Sequence, residues 1–142
     1  MSESVEFYLP IRIYIEDTDA GGIVFYANYL KYFERARTEF IRTLDFELRA
    51  CMADNINFVV HSLDLKYLRP AKLDEVINVY AKIKAKGRTF MLFEQKVENG
   101  LGEILVEGSV KVACVHLDTG KPRALPIELL KRLDSSSQLS NI

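Results

Sequence analysis

One segment with helical periodicity, set between segments with strand periodicity, most constrains the fold of this 142-residue chain. From residue 28 to residue 44, apolar side chains recur every three or four residues, which is typical of one face of an amphipathic helix. These positions are Tyr29, Leu30, Phe33, Ala36, Phe40, Ile41 and Leu44. Asn28 precedes them and suits the N-cap position. The segment therefore predicts one long helix of about four to five turns.

Strand patterns lie on both sides of this helix. Residues 5–15 are rich in β-branched and aromatic residues and predict a first strand, with Pro10 marking an edge or a bend. A short helical turn is predicted within residues 46–55. Four alternating segments then follow, joined by short connections that favour antiparallel neighbours; they cover residues 56–71, 75–87, 89–100 and 102–117. This order predicts an α+β fold in which one helix covers one face of an antiparallel sheet.

The length of the chain and its ends predict one domain. We expect a single domain over residues 1–134 and a flexible polar tail over residues 135–142. A short helix is predicted at residues 126–133, opened by Pro126. A single sheet with one helix leaves apolar strand positions uncovered, so we also expect a homo-oligomer.

Composition excludes several classes of protein. The net charge of −1 argues against a nucleic-acid-binding protein, which usually carries a strongly basic face. The N-terminus does not resemble a signal peptide, and no apolar run is long enough for a transmembrane segment. The two cysteines, Cys51 and Cys114, lack the spacing of a metal site or of a disulfide framework. A cytoplasmic protein with reduced thiols is the expectation.

An acidic loop comes directly before the predicted long helix, in the stretch EDTDAGGIVFYANYL at residues 16–30. Three carboxylates, Glu16, Asp17 and Asp19, fall within four residues and are followed by Gly21 and Gly22. Asp and Gly are common in ordinary turns, so spacing alone favours a structural role for the loop. A carboxylate beside a helix N-terminus can also act as a nucleophile or general base, next to N–H groups that lack intrahelical partners.

The loop and the start of the helix together resemble a known enzyme family. The pattern D-x-D-x-x-G-x-V, the N-Y-L start of the helix and the downstream KPRALP are similar to the 4-hydroxybenzoyl-CoA thioesterase family. The resemblance covers about residues 8–132 and is closest to the bacterial branch of acyl-CoA thioesterases encoded with the Tol–Pal envelope system. It implies the hotdog fold, an antiparallel sheet wrapped around one long helix. It also implies dimers, often paired into tetramers, with active sites at the dimer interface.

The resemblance assigns catalytic roles within the loop. Asp19 would be the reactive carboxylate, and the backbone N–H of Tyr26 would stabilise the oxyanion. Asp17 would orient the loop by accepting backbone N–H bonds, whereas Glu16 is expected to be exposed. The Tol–Pal branch usually has histidine where this chain has Tyr26. Because the proposed donor is the backbone N–H, the same chemistry is expected with tyrosine at this position. The Tyr26 side chain is expected to influence which acyl group fits.

The resemblance also implies residues that bind the substrate. Gly22 would let the backbone approach the substrate, and acyl-side contacts are expected from Ile23, Phe25 and Tyr29. The coenzyme A phosphates would be bound by Lys86, Arg88 and Arg123, because a guanidinium donates two hydrogen bonds at once. If the third strand extends that far, the side chains of Lys82, Lys84, Lys86 and Arg88 share one face, where Lys82 and Lys84 are expected to be solvated.

The functional hypothesis is an acyl-CoA thioesterase that uses water, with no metal and no redox cofactor. The alternative is a binding module for acyl carrier protein or for an envelope complex, in which hydrolysis is incidental. A hotdog dehydratase ranks last because that chemistry normally uses a histidine and this loop has none. The acyl length, any aromatic preference, the choice between coenzyme A and carrier protein, and the choice between dimer and tetramer stay open.

Overall fold

The structure is a computed structural model that describes residues 6–140, with side chains described as far as residue 135. This part of the chain forms five strands and three helices, and a short 3₁₀ helix at Ile15–Asp17 follows the first strand. The strands are β1 (Tyr8–Arg12), β2 (Ile56–Tyr67), β3 (Val76–Lys86), β4 (Phe90–Glu98) and β5 (Ile104–His116). The helices are α1 (Asn28–Arg42), α2 (Leu48–Ala53) and α3 (Ile127–Ser140).

The five strands form one antiparallel sheet in the order β1-β3-β4-β5-β2. The helix α1 lies against this sheet and contacts β3 and β1. Most of its predicted apolar stripe faces the core, with Tyr29, Phe33, Ala36 and Ile41 at most 2% exposed. Leu30 is 39% exposed, and Tyr32, which the spacing did not include, is 1% exposed. The predicted α+β architecture, one long helix on an antiparallel sheet, is therefore confirmed.

A β-bulge changes which side chains of β3 face the helix. In β3 the register shifts between Ile83 and Ala85, so Lys84 is an extra residue opposite β4. Lys82 is paired with Glu94 on the outer face, whereas Lys86 is paired with Met91, which is buried in the core. The expectation that Lys82, Lys84, Lys86 and Arg88 share one face is therefore wrong: the bulge interrupts the alternation, and β3 ends at Lys86, before Arg88. A second bulge lies in β2, between Val60 and Ser62.

The ends of the helices differ from the sequence prediction in two places. Asn28 is the first residue of α1 rather than its N-cap, which is Ala27. The Asn28 side chain instead donates a hydrogen bond from Nδ2 to the Asp17 carbonyl, at 2.8 Å. At the other end of the chain, α3 continues to Ser140 and includes residues that the pattern assigned to a loose tail. Residues 141–142 of that tail lie outside the described part of the chain.

The two ends of α1 face different surroundings. Its N-terminus follows the acidic loop, which is attached to the β2–β3 connection by the hydrogen bond from the Val24 N–H to the Ala71 carbonyl. Its C-terminus meets α3, where Arg132 donates a hydrogen bond to the Leu44 carbonyl at 2.7 Å. Within residues 6–140, no helix combines the length and the apolar composition needed to cross a membrane.

Candidate active site

The acidic loop, residues 15–27, is a compact hairpin. The Asp19 N–H donates to the Ile23 carbonyl at 2.9 Å, and the Phe25 N–H donates to the Asp17 carbonyl at 3.1 Å. Gly22 forms the tip of the hairpin with φ of 79°, a left-handed conformation that glycine adopts without steric cost. The hairpin holds the acidic residues and the start of α1 on two adjacent segments of backbone.

The two aspartates of the loop have different roles in the structure. Asp17 accepts the Tyr14 N–H through Oδ2 at 2.8 Å, so the expectation that it orders the loop through backbone hydrogen bonds is confirmed. Asp19 is exposed, and its Oδ1 accepts the Gly21 N–H at 2.9 Å. Among the described residues, its Oδ2 has no hydrogen-bond partner. Glu16 is exposed, as expected.

The backbone before α1 offers free hydrogen-bond donors. The N–H groups of Asn28, Tyr29 and Leu30 each donate to the carbonyl three residues earlier, so the first turn of the helix is tightened. The free donors that normally occur inside the first turn are thereby shifted to Tyr26 and Ala27. Within the described part of the chain, neither of these two N–H groups has an acceptor. The positive end of the α1 dipole lies at the same place.

Aromatic residues hold this backbone in position. The Tyr67 hydroxyl, at the end of β2, donates to the Tyr26 carbonyl at 3.3 Å, and the two rings pack edge to face with centroids 6.1 Å apart. The rings of Phe25 and Tyr26 also pack together, with centroids 4.9 Å apart. Tyr26 itself is 63% exposed in the single chain, and Phe25 and Ile23 are exposed as well. An apolar group placed beside the free Tyr26 N–H would therefore meet apolar surface.

Two tyrosine hydroxyls hold the loop region through hydrogen bonds that the sequence did not predict. Tyr29, expected on the substrate side, is 2% exposed, and its hydroxyl accepts the Ala71 N–H at 3.1 Å. Burial raises its pKa, whereas the hydrogen bond from Ala71 acts in the opposite direction. Tyr67 reaches the loop from a strand 41 residues away in the chain. No local pattern signals such a long-range contact, because Tyr67 lies in a different predicted segment from the loop.

A second residue of the helix lies beneath the loop. Tyr32 is buried, and among the described residues its hydroxyl has no hydrogen-bond partner of ordinary geometry. Burial raises the pKa of Tyr32, and the nearby Asp17 carboxylate raises it further. The hydroxyl therefore stays protonated next to the residue that orders the acidic loop.

The basic residues expected to bind phosphate lie at the other end of the sheet. Lys86 forms an ion pair with Asp134 of α3 at 2.7 Å, and Arg123 donates to the Asp54 carbonyl at 3.5 Å. The exposed Arg88 lies beside them, because its carbonyl accepts the Leu125 N–H. The acidic loop is hydrogen-bonded to Ala71 and Leu73, which lie shortly before β3, whereas Lys86 is the last residue of β3. Roughly 30 Å of strand therefore separates the two, at about 3.3 Å per residue. One chain does not bring these two parts of the predicted site together.

Comparison with known proteins identifies the family. The model of the Thioesterase superfamily matches residues 21–105, which include the tip of the acidic loop, α1 and the strands β2 to β4. The chain belongs to this superfamily. It is 43% identical over 125 residues to the acyl-CoA thioesterase YbgC of Haemophilus influenzae, covering 87% of this chain and 90% of that protein. It is 42% identical over 120 residues to the acyl-CoA thioester hydrolase YbgC of Escherichia coli, covering 84% and 90%.

Solved structures of thioesterases share the fold of this superfamily member. The DHNA-CoA thioesterase of Staphylococcus aureus superposes with a TM-score of 0.86 at 25% identity, covering 94% of this chain and 91% of that one. The predicted hotdog fold is thus confirmed. The superfamily fold is shared by enzymes with different acyl groups, so the substrate of this chain has to be argued from its own site.

Proposed function

We propose that this protein is an acyl-CoA thioesterase that hydrolyses an acyl thioester to a free acid and a thiol. The proposal is supported by membership of the superfamily and by the names of its relatives. The observation that carries it is that one hairpin holds an exposed carboxylate and a backbone N–H, and that neither the Oδ2 nor the N–H has a hydrogen-bond partner among the described residues. Thioester hydrolysis needs both groups: one to attack or activate water, and one to stabilise the oxyanion.

In the proposed mechanism, the thioester carbonyl oxygen accepts a hydrogen bond from the Tyr26 N–H. Negative charge that develops on this oxygen is stabilised by that N–H and by the N-terminal end of the α1 dipole. As a general base, Asp19 takes a proton from water while the water oxygen bonds to the carbonyl carbon. The tetrahedral intermediate then expels the thiolate, which takes up the proton from Asp19. As a nucleophile, Asp19 would instead displace the thiolate and form an anhydride that water hydrolyses. Both routes use the same two groups.

We further propose that a second copy of the chain completes the site. The edge strand β2 is twelve residues long and carries exposed apolar side chains, including Val59, Val60 and Leu63. Long, apolar edges of this kind are prone to pair with another strand. Antiparallel pairing of two β2 strands about a two-fold axis would place the Phe58 end of one copy beside the Tyr67 end of the other. The Arg123 N–H donates to the carbonyl of Cys114, which is paired with Phe58 in the sheet. In the dimer, the basic residues around Arg123 would therefore approach the acidic loop of the other copy.

The test is hydrolysis of acyl-CoA esters by the variant Asp19→Asn. Asparagine keeps the oxygen that accepts the Gly21 N–H but removes the charge and the basicity, so the loop is expected to stay folded. We expect kcat/KM to fall about 10²- to 10⁴-fold, the usual contribution of a general base. Glu16→Gln is the matched control, because it removes an exposed charge from the same loop and is expected to retain full activity. Equal activity of Asp19→Asn and the parent protein would exclude Asp19 as the reactive group.

The thiol carrier and the location stay predictions. An acyl carrier protein would present the same type of thioester, and the exposed Arg88 could meet its acidic surface. Comparing acyl-CoA with acyl carrier protein as substrates distinguishes the two carriers. The cytoplasmic location predicted from the sequence is likewise a proposal, and cell fractionation would test it.

A further inference from the structure

A cavity of about 370 Å³ lies between α1, α2 and the sheet. Its volume is within the range of small-molecule sites. Most of its wall is apolar, and this part of the wall includes Ile41, Leu48, Phe58, Met91, Phe93 and Val112. Three polar side chains of α1, Glu34, Arg37 and Thr38, complete the lining. The cavity therefore combines an apolar body with a polar strip along one helix.

The position of Arg37 in this wall is determined by Gln95. Gln95 is 1% exposed, and its Nε2 donates to the carbonyls of Phe33 and Tyr80 at 3.1 and 3.2 Å. Both amide hydrogens are thus used, and the amide oxygen Oε1, which only accepts, accepts from Arg37 Nη1 at 2.9 Å. The guanidinium is thus held in place by a buried amide that is itself fully bonded.

The remaining donors of Arg37 are not used by a carboxylate. Among the side chains that the structure describes, Arg37 forms no ion pair, and Gln95 is its one hydrogen-bond partner. Burial lowers the pKa of Arg37, while the nearby Glu34 acts in the opposite direction, and an arginine stays charged at neutral pH. A guanidinium has five N–H donors, so a charged group with spare donors faces an apolar cavity. An occupant without an acceptor would leave this charge poorly solvated.

We propose that this cavity binds the acyl part of the substrate and that Arg37 selects acyl groups carrying an oxygen acceptor at their far end. The inference rests on the proposed function, because it names the substrate class of the same enzyme. The oxygen can belong to a carboxylate or to a hydroxyl, both of which accept hydrogen bonds from a guanidinium.

The proposed dimer brings the cavity to the reacting group. Phe58, Val59 and Val60 line the cavity and lie at one end of β2, while Tyr67, which contacts Tyr26, lies at the other. Antiparallel pairing of two β2 strands therefore places the cavity of one copy beside the acidic loop of the other. An acyl group whose carbonyl lies at the Tyr26 N–H would then extend into the cavity of the partner copy.

The experiment compares three acyl-CoA esters of the same chain length: one unsubstituted, one with a terminal hydroxyl and one with a terminal carboxylate. The readout is the ratio of kcat/KM for each oxygenated ester to that for the unsubstituted ester. A ratio taken on one preparation is independent of the fraction of folded enzyme. The variants are Arg37→Met, which removes the charge at similar length, and Arg37→Lys, which keeps the charge but loses the planar set of guanidinium donors. Arg42→Met, an exposed arginine of the same helix, is the matched control.

We expect the ratio to fall about ten- to a hundredfold in Arg37→Met for at least one oxygenated ester, the usual effect of losing a hydrogen bond to a charged group. The ratio for Arg37→Lys is expected to lie between those of the parent and Arg37→Met, and the ratio for Arg42→Met is expected to match that of the parent. The ester that responds identifies the acceptor. If the parent hydrolyses the unsubstituted ester and the ratios are the same in all variants, the role of Arg37 is excluded while the proposed function stands. If the parent hydrolyses none of the esters, both the proposed function and the role of Arg37 are excluded.

Discussion

Gly108 of β5 is paired with Leu65 of β2, and replacing it with alanine tests how closely the edge strand β2 packs against β5. A Cβ at Gly108 would overlap the Asp64 carbonyl oxygen and lie 2.7 Å from Leu65 Cδ2, whereas real Cβ atoms essentially never approach another atom within 3.0 Å. Because the nearest obstacle is backbone, β2 as a whole has to move away from β5. The substitution therefore acts on the strand that carries Tyr67 and the proposed dimer edge.

The expected magnitude follows from these contacts. Moving β2 weakens about two ladder hydrogen bonds near the Gly108–Leu65 pair, each with a net contribution of roughly 0.5–1.5 kcal/mol. Overpacking adds about 1–3 kcal/mol. We expect Gly108→Ala to lower the free energy of unfolding by about 2–6 kcal/mol, a large part of the 5–15 kcal/mol typical of a folded domain.

The assay is urea-induced unfolding followed by circular dichroism, at one fixed protein concentration because oligomers unfold in a concentration-dependent way. Gly100→Ala is the matched control: a Cβ there meets no atom within 4 Å, so its effect should stay within about 0.5 kcal/mol. A Gly108→Ala protein within 1 kcal/mol of the parent, taking ~1 kcal/mol as the average effect of a point mutation, would refute the reasoning about this close approach.

Two further predictions concern Tyr32 and the shared site. Tyr32→Phe removes a buried hydroxyl without a described partner, so stability at pH 7 should stay unchanged or rise by up to about 1 kcal/mol, and a clear loss in urea unfolding would show that the hydroxyl has a partner. Because burial raises the pKa of Tyr32 above its ordinary 10.0, the unfolded chain loses this proton at a lower pH than the folded chain does. The free energy of unfolding therefore falls as pH rises from 10.0 toward the folded pKa, and Tyr32→Phe should flatten this alkaline loss of stability. Refolding a mixture of Asp19→Asn and Arg88→Ala should restore about a quarter of the parent activity at low substrate, since half of the dimers are hybrids with one intact site of two. Activity no higher than the mean of the two variants would place both residues in the site of one chain.

The long helix and the succession of helix and strands along the chain were predictable because they depend on local patterns. The apolar spacing of α1 identifies its buried side from neighbouring residues alone, and Tyr29, Phe33 and Ala36 are indeed buried. The acidic loop was equally visible, because a cluster of Asp and Gly before a helix is a local signal. What the loop does was suggested by resemblance rather than by spacing.

Other features depend on which segments of the chain meet in space. The bulge at Lys84 follows from the pairing of β3 with β4, and it moves Lys86 to the helix side, where Asp134 is its partner. The length of β3 places the acidic loop and the basic residues at opposite ends of the sheet. Likewise, Gln95 and Arg37 are 58 residues apart, and only packing of α1 on the sheet joins them.

The amino-acid sequence alone thus determined the helices and strands, the buried face of α1 and the position of the acidic loop, because short-range periodicity and turn chemistry encode them. Tertiary structure decided the strand register, the faces beyond each bulge, the anchoring of Tyr26 by Tyr67 and the lining of the cavity by Arg37. The physical reason is that these features arise from pairing and packing between segments far apart in the chain, whose free energies no local pattern contains.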